Sequence, residues 1–448
     1  MDRMIATTER AGAPPLPENR SSAPSGLGTA AAEWKQHWKT LTACMVGTAA
    51  SITHLGSIGV LIPEIQSEMK WSASAISAGM VILCTVSLLA SGFVGALVDR
   101  YGPKRIGLAG LCAYLGIFAL MATVSDSLMA WWGLWLLLGI GFSCITTTVW
   151  APAVAIRFHA SRGLAIAIML CANGISIGIM PILATLFMEN FGWRGAFVGC
   201  ALVVAAISIP LVFLLMQDTP RAARKSDDAA PENPLEHPGM EVGQAMLSSV
   251  YIRIALSAVL FTIGTVGLVV YFVPILRASG MAAQEAAAAA GGIGVSLIVG
   301  RLGTGILLDR MRASVIAAVS FGLPSIACLV LLTSPGPVVA AGAGLIIGLA
   351  MGSELDVVAY ASTRYFGLKN ISAIYGTLVG MITFASGIGP MATGAIFDLT
   401  GSYDRMVLLA LPCFVLASLL MATLPHYPAW NETPPGEIDP ARLAGSSP

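Results

Sequence analysis

The segment Gly95-Ala-Leu-Val-Asp99-Arg100 returns 210 residues later as Gly305-Ile-Leu-Leu-Asp309-Arg310. Each copy closes a long apolar stretch and is followed by further basic residues. Such a repeat makes the chain two similar halves joined end to end. The apolar stretches place both halves in a lipid bilayer. A transmembrane helix needs about 20 mostly apolar residues. Twelve stretches qualify, at 40–62, 75–97, 106–124, 129–155, 163–187, 194–216, 250–276, 284–308, 313–333, 337–361, 371–396 and 404–424. The expected fold class is therefore all-α and multi-pass, with twelve helices in two six-helix repeats.

Composition agrees. Of 448 residues, 56% are apolar and only 11% charged, where soluble domains carry about 25% charged residues. Mean hydropathy is +0.80. The net charge of zero offers no field for nucleic acid. All eight cysteines fall in apolar runs, the pattern of small core residues rather than of disulfides or a metal site. No cofactor or metal is expected.

Residues 1–37 are polar, rich in Pro, Ser, Ala and Gly, and lack the apolar core of a signal peptide, so they read as a disordered tail. Residues 38–216 form the first half and 250–424 the second. Residues 217–249 hold charges and four prolines and read as the linker between halves, and 425–448 as a second tail. Twelve Lys and Arg residues, Arg100, Arg157, Arg310 and Lys369 among them, lie in one set of loops, against Lys70, Arg194, Arg277 and Arg405 in the other. Basic loops stay inside. The first set, both termini and the linker are thus expected in the cytoplasm, in a cell membrane. Six is even, so the halves run parallel, related by an axis along the membrane normal. Pro63 and Pro274, Pro181 and Pro390, and Arg157-Phe158 and Arg364-Tyr365-Phe366 keep the repeat offset.

Gly95-Ala-Leu-Val-Asp99-Arg100-Tyr-Gly102-Pro-Lys104-Arg105 resembles the loop 2–3 signature of the major facilitator superfamily, with a shortened copy at Asp309-Arg310. Within it, three stretches resemble the monocarboxylate transporter and oxalate–formate antiporter branch. These are Ile62-Pro63-Glu64 through Trp71-Ser72, Arg162-Gly163-Leu164-Ala165 with Phe191-Gly192-Trp193-Arg194, and Val299-Gly300-Arg301-Leu302-Gly303. The resemblance implies a major facilitator fold and a secondary transporter, not an enzyme. It also implies a conformational latch made of Gly95, Asp99, Arg100, Lys104, Arg105, Asp309 and Arg310. Gly95 lets two helices approach. Asp99 would face the positive end of span 11 near Asn370, an interaction worth about 0.3–1 kcal/mol. The alternative is that Asp99, Arg100, Lys104 and Arg105 are topology signals alone.

Charges inside a membrane are expensive and functional by default. Arg301 is the only Lys or Arg well inside a span, eight residues before Asp309 and so about 12 Å into its helix. The resemblance assigns it the substrate carboxylate, which a guanidinium fork suits. A structural salt bridge is the alternative. Glu354 lies near the middle of span 10. It either pairs with Arg301 and couples protons or is held by neighbouring hydroxyls. Asp356, about 200° further round that helix, reads as structural. His54, Asn173, Tyr271 and Tyr375 are further substrate-binding candidates on expected cavity helices, with a packed core or interfacial role as the alternative for each. Thr146-Thr147-Thr148 either bonds its own helix or lines the path. The chain departs from the branch at Leu297, where an aspartate is usual, and near Gly56, where a lysine is usual. Lactate or pyruvate symport does not follow.

The expected function is secondary transport of a small organic anion, with protons as a coupling partner, by a monomer. A proton-antiporting exporter of drugs or hydrophobic metabolites, and a transporter-like sensor, are the alternatives.

Overall fold

The computed structural model describes residues 26–217, 239–308 and 310–428. Eleven helical stretches among them are long and apolar enough to cross a membrane. One, Arg162–Leu215, has 54 residues and turns at Gly192, with φ 69° and ψ 178°. Only glycine adopts that conformation without strain. Split there, the eleven stretches make twelve crossings. In order, span 1 is Ala31–Met69, span 2 Ala73–Tyr101, span 3 Pro103–Thr123 and span 4 Leu128–Ala155. Spans 5 and 6 share Arg162–Leu215; spans 7 to 9 are Ser249–Ala278, Ala283–Leu308 and Ala313–Leu331. Spans 10 to 12 are Pro337–Phe366, Ile371–Thr400 and Tyr403–Ala422.

The turn between spans 5 and 6 is pinned from span 1. Trp193 Nε1 donates to Glu68 Oε2 at 2.6 Å, and Arg194 bonds the other oxygen of the same carboxylate. Span 1 itself breaks between helices Gly26–Ser51 and Thr53–Met69. Ser51 and Thr53 hydroxyls bond back to the carbonyls of Thr48 and Ala50 there, competing with the regular ladder.

The tail expected over 1–37 is corrected in its last part, since the first helix starts at Gly26. Trp34 packs edge-on against Phe158, and Glu33 accepts from the N–H groups of His159 (3.1 Å) and Ala160 (2.9 Å), just before span 5. Residues 1–25 lie outside the described residues. The linker expected over 217–249 also ends in structure. Met240 N–H donates to Phe366 O at 2.9 Å, a short helix follows at Val242–Leu247, and Asn370 Nδ2 donates to Met240 O at 3.0 Å. Lys369 Nζ donates to Glu241 at 2.6 Å and holds that carboxyl below the usual carboxylate range. The linker end thus covers the start of span 11; residues 218–238 lie outside the described residues. At the other tail, Tyr427 Oη accepts from Ala313 N–H at 2.9 Å, while 429–448 lie outside them.

Spans 1 and 7 run through the middle, with 72% and 78% of their most apolar windows buried. Spans 1–6 and 7–12 meet along three seams: span 1 on 7, span 2 on 11 and span 5 on 8. The last two are the same contact under the sequence repeat. Both seams are tight at one membrane face and part at the other. On span 11, a Cβ at Gly394 would lie 2.8 Å from the span 2 backbone at Ala73, and one at Gly387 2.9 Å from Met80 O. At Gly380 it would meet only the Leu88 side chain, at 3.3 Å, and at Gly376 nothing within 4 Å. On the other seam, Gly174 would meet Gly294 O at 2.5 Å, whereas Gly163, Gly303 and Gly305 meet nothing within 4 Å. The molecule is closed at the face away from the basic loops and splayed at the basic face.

Candidate functional site

Arg301 stands where the span 5–8 seam begins to part, between Gly294 and Gly303. Its side chain is only 6% exposed, because Gly352 lets span 10 press onto span 8 beside it, a Cβ there lying 2.8 Å from Arg301 N. Its Nε and one terminal nitrogen are buried without a hydrogen-bond partner in the protein. The nearest acid is Asp356, with Oδ2 4.0 Å from Nε and a side chain 31% exposed. That distance permits attraction but no good hydrogen bond. A buried guanidinium so placed is under-compensated and suited to a planar anion that accepts from two adjacent N–H groups along one of its edges. Tyr375 on span 11 and Cys171 on span 5 lie within electrostatic reach of Arg301 and Asp356. Four spans therefore converge on this one cation.

Of the two readings of Glu354, the structure shows the hydroxyl partner and not the pair with Arg301. Glu354 is 5% exposed and bonds Thr262 of span 7 through Oε1, while Arg301 acts on it only at longer range. The two acids leave span 10 in different directions, and Asp356, read from the sequence as structural, takes the place beside arginine. Thr262 Oγ1 also lies 2.7 Å from Ala258 O, its own helix carbonyl. A hydroxyl has one hydrogen. It therefore donates to Ala258 O or to Glu354 Oε1 at any moment, not to both.

The other expected substrate residues scatter. Asn173 is on span 5, two residues from Cys171, with a buried Oδ1 lacking a protein partner. His54 is not brought to the arginine. Its Nδ1 is 3.1 Å from Ser51 O and 2.9 Å from Tyr114 Oη, and Tyr114 Oη accepts from His54 N–H at 3.1 Å. The broken ladder of span 1 leaves those backbone groups free, and Tyr114 and the imidazole take them. Tyr271 is also elsewhere. It is fully buried at the closed face, with its hydroxyl 2.9 Å from Ser77 Oγ of span 2. Thr146 and Thr148 bond each other at 2.7 Å where span 4 breaks, and Thr147 and Thr148 line a basic-face cavity of about 660 Å³.

Asp99 lines that same cavity with Arg162. Gly95 meets nothing within 4 Å. Arg100 lies over the Tyr101 ring at 5.2 Å and Lys104 over Phe213 at 5.5 Å. Arg105 and Arg310 are exposed, and Asp309 lies outside the described residues. Sequence reasoning missed Thr262 and Tyr114. A lone hydroxyl in an apolar helix gives no signal of its partner.

Relatives of similar length exist. The human protein named monocarboxylate transporter 11 is 27% identical over 412 residues, covering 87% of this chain and 83% of that one. Human monocarboxylate transporter 12 is 24% identical over 419 residues, covering 86% and 79%. Among solved structures, the nucleoside transporter NupG superposes with a TM-score of 0.69 at 12% identity, covering 86% of this chain and 98% of that one. A bacterial homologue of the lysosomal transporter Spinster gives 0.68 at 14% identity, covering 85% and 95%. The description Major Facilitator Superfamily matches residues 41–390. With that match over most of its length, twelve crossings and two repeated seams, the chain belongs to the Major Facilitator Superfamily and is a secondary transporter of the membrane, not an enzyme.

Proposed function

We propose that the chain moves a small organic monocarboxylate across the cell membrane by alternating access, with Arg301 as the carboxylate anchor and Glu354 as the proton carrier. The observation that carries this is the buried Arg301 guanidinium with two nitrogens unpartnered. A substrate carboxylate would accept from two adjacent N–H groups, one of these nitrogens among them, and displace the weak attraction of Asp356. The relatives named monocarboxylate transporters support the same substrate class. Asn173 and Tyr375 would complete the site from spans 5 and 11. Glu354, 5% exposed and bonded by a hydroxyl rather than by Arg301, would carry the proton, so a bound anion and a carried proton would cross together.

Under the basic-inside rule the splayed face is cytoplasmic, and this structure is the inward-open state of a monomer with both termini in the cytoplasm. Gly95, Asp99, Arg100, Lys104 and Arg105 would latch span 2 to the start of span 11 when that face closes, with Asp309 and Arg310 as the shortened copy between spans 8 and 9. The test is uptake by proteoliposomes of aliphatic and aromatic mono- and dicarboxylates, with and without an inward proton gradient. We expect monocarboxylates alone to accumulate, and Arg301→Lys to lose at least tenfold in kcat/KM because an ammonium cannot fork. Full transport by Arg301→Ala would overturn the reading.

A further inference from the structure

The repeat offset reappears at the closed face, in the groups that hold it shut. Asp398, near the end of span 11, accepts from Ala73 N–H at 2.8 Å, Ser74 N–H at 2.9 Å and the Ser74 hydroxyl at 2.5 Å. These are the first residues of span 2, in the other half. Ser72 takes the next free donor, Ala75 N–H, at 3.1 Å. A carboxylate of the second half thus caps the positive end of a helix of the first, the arrangement that most favours an anion there.

Glu189, near the end of span 5, precedes Asp398 by 209 residues, and Gln284, in the first turn of span 8, follows Ser74 by 210. Gln284 Nε2 donates to Glu189 Oε2 at 3.0 Å. Span 5 repeats as span 11 and span 2 as span 8, so the two contacts are one contact duplicated. Their strengths differ. Asp398 holds three donors at a helix end, and Ala73 is fully buried. Glu189 holds one neutral amide. Glu64 and Arg277, 3.8 Å apart at the ends of spans 1 and 7, add an exposed pair of little weight.

We infer that Asp398 and Glu189 are paired bolts of the outer gate, with Asp398 dominant, and that both bonds must release before the site opens away from the basic face. This rests on the alternating-access reading but not on the substrate class. Asp398 and Asp99 then act reciprocally. Each ends one helix of the span 2–11 pair; Asp398 caps the start of span 2 here, and Asp99 would face the start of span 11 when the opposite face closes. A shift toward the outward-open state follows from weakening the bond made only in the closed one.

Cys84 reports the gate. It lies on the span 2 face of Ala73 and Ser77, with Sγ 3.6 Å from Ser386 Oγ across the seam. A membrane-impermeant maleimide is added to the outer side of sealed vesicles, and labelled Cys84 is quantified by mass spectrometry. We expect Asp398→Asn to raise the labelling rate about tenfold and Glu189→Gln two- to threefold. Asp404→Asn, an exposed acid nearby on span 12, should leave it unchanged. Labelling of Cys171 from the basic side should fall in the same variants, whereas general loosening would raise both. Wild-type Cys84 labelling in Asp398→Asn, or a rise at both cysteines, would overturn the inference. Should Asp398→Asn not reach the membrane, Glu189→Gln decides by the same two readouts.

Discussion

Asp356 Oδ2 lies 4.0 Å from Arg301 Nε, close enough to compensate the buried cation in part and too far to satisfy it. On the proposed reading the pair would set the affinity of the site. At about 4 Å and an effective dielectric constant of about 20, two unit charges attract by about 4 kcal/mol, and partial exposure of Asp356 reduces this.

If Arg301 anchors the substrate as proposed, Asp356 would compete with its carboxylate for the same guanidinium. Asp356→Asn should lower KM for a transported carboxylate about tenfold and slow release, so that kcat falls as well. Uptake kinetics in proteoliposomes check this. An unchanged or raised KM would show that Asp356 does not compete.

Glu354 predicts how transport responds to a proton gradient. Glu354→Gln fixes the neutral form, so substrate exchange between two pools should persist while accumulation driven by a proton gradient is lost. Counterflow and gradient-driven uptake in proteoliposomes check this. Full gradient-driven accumulation by Glu354→Gln would remove Glu354 from coupling.

Much of this was legible in the sequence, and the reasons for the rest are physical. The twelve crossings follow from length and hydropathy, and the Gly192 turn from Phe191-Gly192-Trp193-Arg194. Glu68 and Trp193 lie in two recognisable stretches, yet their bond could not be read, because sequence does not say which loops meet. His54 and Tyr271 sit on central spans as expected but face elsewhere. A helix apolar on every side has no polar stripe to show which face meets the cavity. The residues of 26–37 look like a tail by composition. Only Phe158 and the N–H groups before span 5, distant in sequence, make them a helix. The bolts at Asp398 and Glu189 obey the repeat arithmetic, but nothing marks them until the seam is seen.

Gly59 and Gly56 test the central seam. A Cβ at Gly59 would lie 1.7 Å from Val270 O, a backbone atom of span 7 that cannot move alone. At Gly56 the nearest atom is Met180 Cβ at 2.6 Å, in the same half. Gly59→Ala should push spans 1 and 7 apart and destabilise this state by about 1–3 kcal/mol. Gly56→Ala should also destabilise, but by parting spans 1 and 5 within one half rather than the two halves. Thermal unfolding in detergent with labelling of Cys84 separates them, since only Gly59→Ala should increase outer access.

Gly95 offers the reverse test, at the face that is open. Nothing lies within 4 Å of a Cβ there, so a larger side chain fits this state without strain. If span 2 must close on span 11 at this position, the same side chain blocks closure. Gly95→Leu should keep the wild-type melting temperature and the low outer labelling of Cys84, while transport falls by at least tenfold. A small residue needed only for folding would behave in the opposite way, with melting temperature and transport declining together. Asp99→Asn, which keeps the shape and removes the charge, should leave closure sterically free and reduce transport less than Gly95→Leu. A helix-end charge is worth only about 0.3–1 kcal/mol, whereas a steric block has no such limit.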